Sequence, residues 1–189
     1  MASLLKLSCL AFKKKLLNDH MKLPNIQIDC IINSPGGCGT ITLIKYINQF
    51  KKNNIDVQVH SKLEVSHILS PPKSFKERKI KVIIMRRNFN QIYLSNKRRK
   101  FLRGILIYFG DIFPYMYINL FKNEKKLKDK FIKYLKKYYY NWANYPKKLK
   151  IVLNYETIFK SKREQKKLAN FLGVKNKKFL NNFPSFKKY

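Results

Sequence analysis

At 189 residues, 45% of them hydrophobic, the chain is long enough for one domain with a real core and too apolar to be disordered by composition. Its formal net charge of +32 points to anionic partners such as nucleotides, nucleic acid, acidic glycans or an anionic membrane surface. The same mixture of Lys, Asn, Ile and Tyr also arises from nucleotide bias in a genome, so charge alone assigns no function. Three cysteines, Cys9, Cys30 and Cys38, suit neither a zinc site nor a disulfide framework, and a reducing, cytoplasmic setting is expected.

Leu4, Leu5, Leu7, Leu10, Phe12, Leu16 and Leu17 recur at roughly helical spacing and predict a leading helix within an extension over residues 1–24. That run is too short to span a membrane and is interrupted by Lys6 and the lysines at 13–15. Pro24 separates it from a strand over 27–32. The strand runs into Asn33-Ser34-Pro35-Gly36-Gly37-Cys38-Gly39-Thr40, and apolar residues then resume at helical spacing to Lys52. Strand, tight loop and helix start make a nest of backbone N–H groups backed by the positive end of a helix dipole, which suits a phosphate or sulfate. The loop lacks the Gly-Lys-Ser/Thr ending of nucleotide hydrolases, because Gly39 precedes Thr40. Cys38 has no adjacent base in sequence, which favours packing over nucleophilic chemistry.

Beyond Asn53-Asn54, the alternating Ile55–Val59 stretch predicts a second strand, and a linker follows through Pro71-Pro72. Residues 80–85 read as a third, buried strand ending in Arg86-Arg87-Asn88. Helical spacing resumes at Phe89 and continues, with breaks, to Trp142. The apolar stretch from Phe101 to Phe121 is cut by Arg103, Gly104, Gly110, Asp111 and Pro114 and reads as buried helix, not a membrane span. Residues 149–155 predict the last strand, 163–172 a short helix stopping at Gly173, and 176–189 a loosely held basic tail.

Strands alternating with helices predict one α/β domain over residues 1–189, with three layers and a mainly parallel central sheet flanked by helices. Ligands of such sheets sit beyond the carboxyl ends of the strands. The glycine loop, the region of His60, Arg86-Arg87 and Tyr155-Glu156 all follow predicted strands, so four chemical stretches converge on one rim.

Arg87-Asn88, with Ser95 eight residues after Arg87, resembles the 3′-phosphate motif of the P-loop-like sulfotransferases. The loop over 34–42 is similar to that family's 5′-phosphosulfate loop, and the stretch from Tyr155-Glu156 to Phe171-Leu172-Gly173 is similar to its "YE…FLG" segment. The three stretches occur in the family's order and cover about residues 26–175. The resemblance implies that 3′-phosphoadenosine-5′-phosphosulfate (PAPS) is the donor. It implies that the sulfuryl group moves to a hydroxyl or amine of an acceptor, and the positive charge suits an anionic or sugar-containing one, such as a cell-surface glycan precursor. It implies that Gly36, Gly37, Cys38, Gly39, Thr40, Ile41 and Thr42 contact the 5′ end, that Arg87 and Ser95 hold the 3′-phosphate, and that Tyr155 lies near the adenine. Arginine offers a bidentate fork and serine a hydroxyl to one phosphate. The family often places a histidine after the second strand, so His60 or His67 is the expected base, with Glu64 and Asp111 as weaker carboxylate candidates. No metal and no obligate nucleic acid are expected; peripheral contact with an anionic membrane is compatible with the charge.

Two positions depart from the family pattern. Its loop lysine falls at Gly37, and its acidic residue four after the Arg is Gln91. Lys62, Arg86 or another base would have to replace the missing charge, and without one the chain reads as an inactive relative of the family. The competing expectations are a nucleotide kinase or NTPase with a degenerate loop, and a non-enzymatic basic protein that binds nucleic acid.

Overall fold

A computed structural model describes residues 30–52, 64–66, 68–109, 122–174 and 178–185. Among these, the elements in chain order are β1 (Cys30–Asn33), α1 (Thr40–Lys52), β2 (Glu64–Ser66), α2 (Lys73–Glu77), β3 (Lys81–Arg86), α3 (Phe89–Arg98), α4 (Leu102–Phe109), α5 (Glu124–Ala143), β4 (Lys150–Asn154), α6 (Tyr155–Ile158), α7 (Lys162–Leu172) and α8 (Lys178–Asn181). The four strands form one sheet in the order β2-β1-β3-β4, and every pairing is parallel. Inner strands of such a sheet are covered on both faces, which is why β1 (Cys-Ile-Ile-Asn) is buried along its length and β3 carries four consecutive buried residues.

Alternation along the strands sends side chains into two cores. Cys30, Ile32, Ile83, Met85 and Leu153 pack with Leu43, Tyr46, Ile47 and Phe50 of α1, with α3, and with α7. Ile31, Val82 and Ile84 pack with Phe75 of α2 and with Tyr138, Trp142 and Tyr145. The three layers expected from the sequence are therefore present. Helix α5 serves both cores: Leu127, Phe131, Tyr134 and Leu135 enter the first, Tyr138 and Trp142 the second.

Local chemistry starts and stops these helices. Asn88, Asn123 and Ser161 cap α3, α5 and α7 by accepting backbone N–H bonds. Gly173 ends α7 at φ 71, with Val174 N–H donating to Ala169 O at 2.8 Å.

Several expectations are corrected. Residues 64–66, read as linker, form β2, because they pair in register with Ile31, Ile32 and Asn33. Tyr155, read as the end of the last strand, begins α6. The tail is not loose at 178–185: Phe179 is fully buried against the rings of Tyr46, Phe50 and Phe183, with the Tyr46 hydroxyl bonded to its carbonyl. The leading helix, the strand at 55–59 and the stretch 110–121 lie outside the described residues. Among the described residues, no helix is long and apolar enough to cross a membrane.

Candidate functional site

The carboxyl ends of β1, β3 and β4 bring three of the singled-out stretches into contact. After β1 the chain passes through Ser34 and Pro35 into Gly36, Gly37 and Gly39, at φ 85, 72 and 71. L-residues with a Cβ avoid that region, so the turn depends on these glycines. Ser34 Oγ accepts a 3.2 Å bond from Gly36 N–H, and Leu43 N–H donates to Gly39 O at 3.2 Å as α1 begins. Thr40 is buried, while Ile41 and Thr42 in the first turn of α1 are exposed.

Arg87 follows β3 and reaches back to the loop. Its Nη1 donates to Gly37 O at 2.9 Å, and its guanidinium lies 4.4 Å from the centre of the Tyr155 ring. Its Nε stands 3.9 Å from Glu156 Oε1, an oxygen that also accepts from Asn88 N–H at 3.2 Å. That Nε is buried and makes no hydrogen bond among the described residues. Arg87 is thus oriented by the loop, by the first residue of α6 and by a carboxylate, with donor capacity left over.

Ser95 lies on α3 directly against the turn: a Cβ added at Gly37 would meet Ser95 Cβ at 3.2 Å, Asn96 Nδ2 at 3.1 Å and Arg99 Nη2 at 3.2 Å. A Cβ at Gly36 would meet Asn96 Oδ1 at 3.2 Å. Gly39 is the tightest position, since its Cβ would fall 2.3 Å and 2.5 Å from two atoms of the Tyr155 ring. Gly37, Arg87 and Ser95 are therefore neighbours, as are Gly39 and Tyr155.

Cys38 is fully buried, its thiol 3.5 Å from Gly36 O. Burial pushes the thiol up to about 12, and the Tyr139 hydroxyl and the Arg87 charge only partly offset it. It remains a protonated packing group, in line with the sequence reading. Tyr139, itself raised by burial, donates to Met85 O at 3.0 Å and ties α5 to the tip of β3 under the loop. On the far side of β1, Asn33 holds the segment after β2: its Oδ1 accepts from Ile68 N–H and its Nδ2 donates to Ile68 O, each at 3.1 Å. Trp142 Nε1 donates to the same carbonyl at 2.9 Å.

Other candidates fall elsewhere. His60, His67, Lys62 and Asp111 lie outside the described residues. Glu64 opens β2 opposite Ile31, two positions back from the carboxyl edge where Ser66 pairs Asn33. Arg86 stacks on Tyr139 at 5.3 Å and lines an open groove with Val152, Asn154, Arg163 and Lys167. The sequence reading missed Asn96 and Arg99 as loop neighbours; their signal was spacing, one and four residues after Ser95 on the same helix. Among the described residues, no group of three His, Cys, Asp or Glu is placed to hold a metal ion.

No protein-family model matches the chain, and no curated protein matches it. Among solved structures the fold is similar to that of the mouse sulfotransferase SULT7A1 complexed with PAP, at 15% identity and a TM-score of 0.54. The match covers 89% of this chain and 67% of that one. At that identity the likeness is one of fold: a parallel sheet flanked by helices, of the P-loop-like kind.

Proposed function

We propose that this protein is a sulfotransferase that moves a sulfuryl group from PAPS to a hydroxyl or amine acceptor, with a sugar-containing molecule as the favoured class. The observation that carries the reading is the contact of the glycine turn with Arg87 and Ser95. A nest of positive-φ glycines at the start of a helix and an oriented arginine are both built for anions, and here they share an edge at Gly37. The fit of a doubly anionic nucleotide is further supported by the buried Arg87 Nε, which has no hydrogen-bond partner among the described residues. The similar mouse sulfotransferase is complexed with PAP, which is adenosine 3′,5′-bisphosphate, the product that PAPS leaves after transfer.

In this reading the backbone amides of Gly36–Gly39, with Thr40, Ile41 and Thr42, cradle the 5′ end. Arg87 and Ser95 hold the 3′-phosphate, and Tyr155 flanks the adenine. The acceptor oxygen bonds to sulfur as the bond from sulfur to the 5′-phosphate oxygen breaks. The acceptor proton passes to a base, His60 or His67, and PAP departs with the electron pair of the broken bond. Negative charge grows on the bridging oxygen, so amides and cations aimed at the turn lower the barrier.

The test is thermal stabilisation by PAP against ATP with magnesium, followed by transfer of labelled sulfate from PAPS to carbohydrate acceptors. PAP at about a hundred times its dissociation constant should raise stability by about 2.7 kcal/mol. Arg87→Ala and Ser95→Ala should weaken that stabilisation. Stabilisation by magnesium-ATP alone would favour a nucleotide kinase or NTPase. Salt-dependent binding of single-stranded nucleic acid with no response to PAP would favour a nucleic-acid-binding protein.

A further inference from the structure

Arg99 follows the last residue of α3, and its guanidinium reaches back over the glycine turn. Nε donates to Ser95 O at 3.2 Å, Nη2 stands 3.5 Å from Asn96 Oδ1, and Nη2 would touch a Cβ at Gly37 at 3.2 Å. Its Cζ lies 5.2 Å from the centre of the Phe101 ring. Both of its hydrogen-bond acceptors are neutral, and no ion pair among the described residues involves it. Arg87 touches the same glycine through its carbonyl and does have a carboxylate, Glu156. Two guanidiniums thus border Gly37, and one of them lacks a countercharge among the described residues. Burial lowers the Arg99 pKa from the ordinary arginine value, and the Arg87 charge acts in the same direction. Like charges gathered at a partly desolvated spot are stabilised by an anion lying between them.

We propose that Arg99 is a second anion-gripping residue, which binds the 5′-terminal phosphosulfate at the Gly36–Gly39 turn and supplies the positive charge that Gly37 cannot. The inference rests on the PAPS reading above. The turn itself has no room for a cationic side chain at Gly37, where φ is 72 and Ser95, Asn96 and Arg99 wall the Cβ position. Arg86 stacks on Tyr139 and Arg87, which also touches Gly37, is assigned to the 3′-phosphate, so the structure points to Arg99 for the 5′ end.

The experiment measures binding of PAP, 5′-AMP, 3′-AMP and inorganic sulfate to the full chain by calorimetry, for wild type, Arg99→Gln and Arg99→Lys. Arg99→Gln should weaken 5′-AMP and PAP by about tenfold or more, because a charge-assisted bond is lost. It should change 3′-AMP by less than about twofold, and Arg99→Lys should recover part of the loss. Equal weakening of 5′-AMP and 3′-AMP would assign Arg99 a structural role and overturn the proposal, as would unchanged 5′-AMP binding. Should Arg99→Gln not fold, the same contrast is read from Arg99→Lys. Failure of the PAPS reading looks different: wild type then binds PAP no more tightly than sulfate. Sulfate binding that still depends on Arg99 would keep the anion site, and sulfate binding indifferent to Arg99→Gln would remove it.

Discussion

Replacing Gly39 by alanine tests the coupling between the loop and α6 most directly. The backbone there has φ 71, and the new methyl would lie 2.3 Å and 2.5 Å from two Tyr155 ring atoms. The left-handed backbone costs about 1–2 kcal/mol for a residue with a Cβ. Tyr155 cannot simply swing aside: it is buried, edge-on to Phe159 at 5.4 Å, and covered by the Arg87 guanidinium. Overpacking against such a ring adds about 1–3 kcal/mol, so Gly39→Ala should lose about 2–5 kcal/mol by urea unfolding. Tyr155→Ala alone should cost about 3–5 kcal/mol through lost burial. In the double variant the clash disappears, so the combined loss should fall short of the sum by about 1–3 kcal/mol. Gly104→Ala is the control. Nothing lies within 4 Å of a Cβ at that helical position, and it should stabilise by about 0.5–1 kcal/mol. Additivity of Gly39→Ala and Tyr155→Ala within about 0.5 kcal/mol would refute the argument.

Cys38 should give the unfolding free energy a pH slope. Its native pKa is pushed from the ordinary 9.0 to about 12, so between these values the folded state holds a proton that the unfolded state has released. Stability should therefore be intact below pH 9 and fall as pH rises towards 12, more steeply in wild type than in Cys38→Ala when urea midpoints are followed with pH. Asn88→Ala should cost about 1 kcal/mol, since the side chain accepts from Asn90 N–H at 3.0 Å and Gln91 N–H at 3.4 Å. The bond from Asn88 N–H to Glu156 uses the backbone and should survive, so binding of PAP should change little in calorimetry. Tyr145→Phe should cost about 1 kcal/mol in chemical unfolding, because the buried hydroxyl serves the carbonyls of Phe75 at 3.1 Å and Ile80 at 2.6 Å.

What could be read from the chain alone was what short-range rules govern. The Thr40–Lys52 helix announces itself through Leu43, Tyr46, Ile47 and Phe50 at helical spacing, and the turn through three glycines that the backbone needs at positive φ. Residues 64–66 carry no such signal, since three residues show no period; their strand exists because Ile31–Asn33 offers a ladder. Tyr155 belongs by composition to a β-rich run, but the chain turns at Asn154 and lays the ring on Gly39. Phe179 is hidden among lysines, yet one aromatic side chain is enough to pin the segment when a pocket of three rings receives it. Of the candidate site, Arg87 and Ser95 were legible through the family resemblance that their motif carries. Arg99 was not, because its relevance depends on which side of Gly37 the end of α3 passes.

The twenty-residue α5 is embedded in both oily layers of the molecule, and its Tyr139 is bolted to the tip of a central strand. A rod shared in this way denies either layer the freedom to melt alone. Slow amide exchange should therefore be lost together along this rod and the two innermost strands, so that the glycine turn sits on a foundation that gives way only when everything does.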